Sequence, residues 1–369
     1  MVAEADHSGS MDVHVGYKRG GGAHSSCEVS PTKAYFWTPP TRGGEKRRGT
    51  NRELHRCMRT LLASVASMVA LLGMACSSVA CTTVIESEEE PMAFGTKDAK
   101  VLKSYQIPLS EISGLAATSN ALFAIGDRAF EVVRMPIEKA GLGKPQVFDV
   151  KNLIKDRASA SQWEGIAVDG SGRVFVLEEN PGRIFVFSAD LKSLEQTIEL
   201  EIPKSSDLRD DWDKEENSRG EGLVLLRNGH ILVAKEKAPR RLVEFGPSSG
   251  GKSKFGSSKI EALAPGSTFN LSEDEVFVPV SETKMDNSTD DVLKDLSEIA
   301  ADDRGQIFAV SGESGILSRL SFGSEVDTSS EIRLKGITNP EGLAIVGKRV
   351  FVASDQPGSG PSLFEIEVK

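Results

Sequence analysis

After Cys81 the sequence contains no cysteine, and after His55 it contains a single histidine, His230. The first absence excludes a disulfide framework from residues 82–369, so apolar packing has to hold that part together. The two absences together exclude a zinc site built from the usual nitrogen and sulfur ligands. A Ser-His-Asp triad would have to use His230, which follows the Asn228-Gly229 turn. No serine sits in a Gly-x-Ser-x-Gly elbow between a strand and a helix. Positive charge is short as well. Residues 1–81 hold 10 of the 44 basic and 6 of the 54 acidic side chains, which leaves 34 against 48 and a net charge of −14 for the remainder. Such a surface offers no footprint for nucleic acid and suits metal cations or cationic partners.

Long apolar runs are also missing, with one exception. Residues 1–57 are rich in Gly and Arg, lack apolar periodicity and read as disordered, or as an extension upstream of the true start at Met58. From Met58 the chain runs Met-Arg-Thr, then Leu61 to Ala75 without a charge, then Cys76 and Cys81. A basic start, an apolar stretch and a small-residue cleavage site describe a secretory signal over 58–81. Leu72-Gly-Met-Ala-Cys76 resembles a bacterial lipoprotein box, with Ser78-Val-Ala-Cys81 as a second site. The alternative is a retained anchor, since about 20 apolar residues span a bilayer. The expectation is an exported lipoprotein, lipidated at Cys76 or Cys81 and facing the periplasm or cell surface, with an acidic linker over 82–98.

What the rest of the chain has is a repeat. Five copies begin Ser113-Gly-Leu-Ala, Glu164-Gly-Ile-Ala, Glu221-Gly-Leu-Val, Ser297-Glu-Ile-Ala and Glu341-Gly-Leu-Ala. Each is followed 10 or 11 residues later by a second apolar run, starting at Phe123, Phe175, Leu232, Phe308 and Phe351. Turn residues such as Gly170-Ser-Gly172 and Asn228-Gly229 separate the runs and mark hairpins. Third strands follow at Arg183–Phe187, Arg241–Phe245 and Leu363–Val368, and outer strands at Gln196–Leu200 and Glu331–Leu334. Four strands per repeat in a radial array predict an all-β fold, a β-propeller over 99–369. Five blades account for the copies, and Ile260 to Glu282 leaves room for a sixth. The segment Val101–Ile107 is expected to add the outer strand of the last blade and close the ring.

In a propeller the first strand of a blade starts on the rim where the second ends. Glu164, Glu221 and Glu341 open first strands; Asp127, Glu178, Glu179, Glu236, Glu313 and Asp355 close second strands. These acids should meet at one mouth of the channel, where they repel one another unless a cation or hydrogen-bond donors compensate. Oxygen ligands of this kind suit Ca²⁺ or Mg²⁺. The candidate metal residues are Glu164, Glu221, Glu341, Glu179, Glu236, Asp355, Asp127 and Glu298. The simpler reading makes each acid a fastener to the backbone of the next blade, a job Ser113 and Ser297 could share.

The series Ile112-Ser-Gly-Leu-Ala, Trp163-Glu-Gly-Ile-Ala-Val-Asp, Val174-Phe-Val-Leu-Glu-Glu, Gly220-Glu-Gly-Leu, Leu232-Val-Ala-Lys-Glu-Lys and Pro340-Glu-Gly-Leu-Ala resembles the SdiA-regulated (YjiK-like) family of exported or membrane-associated bacterial propellers. It is similar, more distantly, to esterase-like and phytase-like propellers. The resemblance covers Val101 to Lys369 and implies acids around a channel that holds calcium. The fourth copy departs from the pattern: Glu298 replaces the glycine after the anchor, and its second strand ends Ser311-Gly-Glu313. The acidic stretch Ser205 to Arg219 reads as a lid or a solvated loop.

Two functions survive. One is a lipid-anchored binding module whose acidic mouth takes a divalent cation and a small anionic ligand or protein partner. The other is a metal-dependent phosphoester or ester hydrolase, with Lys235, Lys237, Arg128, Arg240 and Arg241 near the same rim to hold an anion. Lys235, beside Glu236, is the leading candidate for that contact and equally a salt-bridge partner that relieves acidic crowding.

Overall fold

The computed structural model describes residues 97–214, 219–249, 260–285, 289, 292–356 and 360–368. The expectations for 1–57, for the signal over 58–81 with Cys76 and Cys81, and for most of the linker over 82–98 lie outside these residues. No helix among the described residues is long and apolar enough to cross a membrane.

Two short strands come first, β1 (Lys97–Asp98) and β2 (Lys100–Tyr105). Five antiparallel meanders follow among the described residues. The first is β3 (Ile112–Ala117), β4 (Ala121–Gly126) and β5 (Glu131–Glu138), with the short β6 (Gly141–Leu142) and β7 (Gln146–Asp149) both paired to β5. The second is β8 (Trp163–Val168), β9 (Val174–Glu178), β10 (Arg183–Phe187) and β11 (Leu194–Leu200). The third is β12 (Gly220–Leu225), β13 (Ile231–Lys235), β14 (Arg241–Pro247) and β15 (Val276–Lys284). The fourth is β16 (Glu298–Ala301), β17 (Ile307–Ser311), β18 (Ile316–Phe322) and β19 (Val326–Arg333). The last is β20 (Pro340–Val346), β21 (Arg349–Ser354) and β22 (Leu363–Glu367).

The innermost strands touch in the cyclic order β3, β8, β12, β16, β20 and back to β3, which is the ring of a β-propeller. The expected closure is present. Strand β2 runs antiparallel to β22, with Tyr105 opposite Leu363, and supplies the fourth strand of the last blade. Lys97 and Asp98, assigned to the linker from sequence, pair with β19 instead. The stretch that left room for a sixth blade contributes β15, the outer strand of the third.

Alternation along the first strands explains how the blades pack. In a strand, successive side chains face opposite sides. Leu115, Ile166, Leu223, Ile299 and Leu343 face back toward the preceding blade, while Ala116, Ala167, Val224, Ala300 and Ala344 face the following one. A large residue from one blade thus meets a small one from its neighbour. Five apolar clusters result, one per blade-to-blade interface, filled by side chains such as Phe175, Phe185, Phe245, Phe308 and Phe351. Burying each aromatic or branched side chain contributes about 1.5–3 kcal/mol, which stands in for the missing disulfides.

The glycine after the anchor has a steric cause. A Cβ on Gly165 would lie 2.3 Å from the Glu221 carbonyl oxygen, and one on Gly222 would lie 2.3 Å from the Ile299 nitrogen. First strands of neighbouring blades pass too close for any side chain at that level. The fourth blade breaks the rule with Glu298, whose carboxyl lies where a Cβ on Gly222 would go.

Candidate functional site

The anchors reach the channel through a repeated irregularity. In four first strands the pairing register slips by one residue, between Ile112 and Gly114, Trp163 and Gly165, Gly220 and Leu223, and Pro340 and Gly342. A β-bulge of this kind leaves one residue unpaired and re-aims its side chain. The residues released are Ser113, Glu164, Glu221 and Glu341, and all four line a cavity of about 560 Å³ at the channel mouth.

A second repeat places the acids of the other set. The residue two before the anchor gives its carbonyl to the N–H at the end of the second strand. The pairs are Glu111 with Asp127 (3.2 Å), Gln162 with Glu179 (3.0 Å), Arg219 with Glu236 (3.1 Å) and Asn339 with Asp355 (3.0 Å). Three of these carbonyl residues, Glu111, Gln162 and Asn339, hold φ near +50°, a conformation that only the surrounding rim can impose on non-glycine residues. In the fourth blade Asp295 does the job with its side chain, accepting from the N–H of Glu313 at 3.2 Å and from the hydroxyls of Ser297 and Ser311.

The cavity therefore gathers Glu164, Glu179, Glu221, Glu236, Glu341, Asp127 and Asp355, seven of the eight acids singled out in the sequence, together with Glu111 and Arg128. Their partners are unequal. Glu179 accepts from the Arg219 N–H at 2.8 Å, and Glu236 lies 3.5 Å from the Lys237 ammonium. Arg128 pairs with Glu111 and lies 3.4 Å from Asp127. Glu164 and Glu221 have no hydrogen-bond donor and no ion-pair partner among the described residues, and Glu221 is only 9% exposed. One oxygen each of Asp127 and Asp355 (Oδ1) is buried without a hydrogen-bond partner.

Burial and mutual repulsion act together on these groups. Both Glu164 and Glu221 are held well above the usual carboxylate range, first by burial and then by neighbouring charges, led by Glu179 for Glu164 and by Glu164 for Glu221. Burial pushes Glu341 up to about 8, Glu179 to about 7 and Asp127 to about 6, and raises Asp355 as well. Glu111 moves the other way, because the Arg128 guanidinium stabilises its charge. At neutral pH the mouth thus holds protons that a bound cation would displace.

Two candidates lie elsewhere. Glu298 does not line the mouth. It stands one residue further in, fully buried, and accepts from the N–H of Ile299 at 3.0 Å and from the backbone N–H groups of Leu115 and Leu223. It therefore stitches the first, third and fourth blades across the axis, the fastener reading applied to one residue. Lys235 is also buried, and its ammonium donates to the Lys237 carbonyl at 2.7 Å. Of the other basic candidates, Arg240 is buried and donates to the Lys294 carbonyl, and Arg241 is held by Asp211 and Glu282. The fastener reading also describes Ser113, whose hydroxyl donates to the Trp163 carbonyl of the next blade.

The described part of the acidic stretch is more than a loop. It forms a short helix, α1 (Asp207–Trp212), capped by Ser206 and pinned by buried Leu208 and Trp212, with Trp212 packed edge-on against Phe245. His230 lies outside the mouth, 2.5 Å from Glu244, and Ser281 donates to Glu244 rather than to the imidazole.

The donor set is all oxygen, the kind a hard cation takes, and two of its carboxylates, Asp127 and Asp355, each carry an oxygen with no hydrogen-bond partner. Among the described residues no group of three or more Asp, Glu, His or Cys is drawn tightly around one point.

Among curated proteins none matches the chain. Solved structures that it resembles include the PQQ-bound aldose sugar dehydrogenase of Streptomyces coelicolor, at 13% identity and a TM-score of 0.41 over 75% of this chain and 100% of that one. Glutaminyl cyclase of Myxococcus xanthus shows 15% identity and a TM-score of 0.45 over 74% and 97%. Virginiamycin B lyase of Staphylococcus aureus shows 12% and 0.38 over 72% and 84%. Likeness at this level carries nothing about chemistry. The profile of the SdiA-regulated family matches residues 96–354, and the chain belongs to that family.

Proposed function

We propose that this propeller is a binding module whose acidic mouth takes a divalent cation, Ca²⁺ by the chemistry of its donors, and presents it to a small anionic ligand or a protein partner. The observation that carries the reading is the pair Glu164 and Glu221, carboxyls that line the cavity with neither donor nor counter-ion among the described residues. Leaving such groups unmatched is costly, and a cation supplies what the protein withholds. The sequence from Met58 to Cys81 supports an exported, lipid-anchored protein, lipidated at Cys76 or Cys81, with the mouth facing the periplasm or the outside. Metal-dependent hydrolysis of phosphoesters or esters has less support. Arg128, Lys237 and Arg241 are each committed to an acid, and Lys235 and Arg240 to backbone carbonyls.

Calorimetric titration of the full-length protein with Ca²⁺ tests this. Saturable binding is expected, lost in the double variant Glu164→Gln/Glu221→Gln. No heat of binding in the wild type, or equal affinity in the variant, contradicts it.

A further inference from the structure

The channel has a second mouth on the opposite rim, where first strands end in hairpin turns. A cavity of about 620 Å³ opens there, within the range of roughly 300–1,000 Å³ usual for small-molecule sites. Part of its wall is small and apolar, from Ala117, Ala167, Val168, Ala300, Ala301 and Ile345, and polar side chains of the turns make up the rest. At its edge stands Arg134, half-buried, its guanidinium 5.6 Å from the centre of the Phe123 ring.

Comparison with its counterparts makes Arg134 informative. Four arginines stack on a phenylalanine of the neighbouring strand or of their own hairpin: Arg134 on Phe123, Arg173 on Phe175, Arg183 on Phe185 and Arg349 on Phe351. Three of the four also hold a carboxylate, from Asp169, Glu178 and Glu365. Arg134 holds none among the described residues, although the chain carries an excess of acids. The aspartates on the same rim are occupied within the protein. Asp169 takes Ser171, Arg173 and the Phe269 N–H, Asp302 takes the N–H groups of Arg304 and Gln306, and Asp303 takes the Gly347 N–H. A guanidinium held over a ring keeps its planar fork of donors for a bidentate contact with a carboxylate.

We infer that this second mouth binds a small monocarboxylate with an apolar body, its carboxylate on Arg134 and its hydrocarbon part against the alanine-rich wall. The site is independent of the acidic mouth and stands or falls without it.

The test is titration of the full-length protein with hexanoate and benzoate, with acetate as the anion that lacks an apolar body. One saturable site is expected for the first two, at least tenfold weaker for acetate. Arg134→Gln should weaken hexanoate at least tenfold and Arg134→Lys less, with Ca²⁺ binding unchanged in both. Methyl resonances of Ala167 and Ala301 should shift on saturation, a readout that needs no variant. The proposal is overturned by absent saturation, by acetate binding as well as hexanoate, by unchanged affinity in Arg134→Gln, or by methyl signals that stay still.

Discussion

Glu298 occupies a position where the four other blades have glycine, and its surroundings say what it is for. Burial holds its carboxyl well above the usual range, and one of its oxygens accepts from backbone N–H groups of three blades. Glutamine offers the same oxygen, so Glu298→Gln should melt within a degree or two of the wild type. Glu298→Ala strips acceptors from buried donors, at about 1–3 kcal/mol. Thermal melts of the two variants decide this, and equal losses would show that shape rather than hydrogen bonding matters. The sequence flagged Glu298 as a departure from the repeat but placed it with the metal candidates. Its depth follows from how closely Gly222 passes Ile299, a distance no single strand encodes. Asp295 was missed for a related reason. It sits two residues before its anchor, in register with Glu111, Gln162, Arg219 and Asn339, but those four act through carbonyls and share no side-chain type.

At the scale of the element, the bulge and the glycine behind it form one device. The bulge frees the anchor, and the glycine lets the next blade come close enough to bury it. Gly165→Ala puts a methyl group 2.3 Å from the Glu221 carbonyl, against backbone that has no room to give. A loss of about 1–3 kcal/mol is expected from overpacking, with weakened Ca²⁺ binding because Glu221 moves. Unchanged stability in denaturant titration would contradict the packing described. The strands themselves were legible, since Gly-bounded apolar runs of five to six residues leave little alternative to hairpins. Helix α1 was not. Its stretch is dominated by Asp207, Asp210, Asp211 and Asp213, and only Leu208 and Trp212, one turn apart, mark a buried face.

For the whole molecule, a ring fold concentrates at one mouth what five repeats carry singly. Closure by β2 on β22 and the five inter-blade clusters fix the rim, and the rim forces carboxyls together that an open chain would keep apart. Gathering seven of the eight acids was readable because strand direction alone decides which ends share a rim. Their unequal partnering was not, because donors such as the Arg219 N–H come from a neighbouring blade.

Crowding has a pH signature. The unfolded chain releases these protons near the ordinary values of 4.5 for Glu and 3.8 for Asp, whereas the folded chain keeps them to about 6 for Asp127, 7 for Glu179 and 8 for Glu341. Between those limits the folded state binds more protons than the unfolded one, so these groups lower stability as pH rises. A cation that takes the protons' place removes that slope and adds RT ln(1 + [L]/Kd), about 2.7 kcal/mol at a hundredfold excess over Kd. The decisive measurement is therefore the melting temperature of the full-length protein from about pH 5 to about pH 8, with Ca²⁺ and with chelator, across the window these groups span. A proton-and-cation mouth predicts a fall with pH in chelator and a Ca²⁺ stabilisation that grows toward the alkaline end. A chelator curve that rises across the window, with no Ca²⁺ effect at any pH, would contradict it.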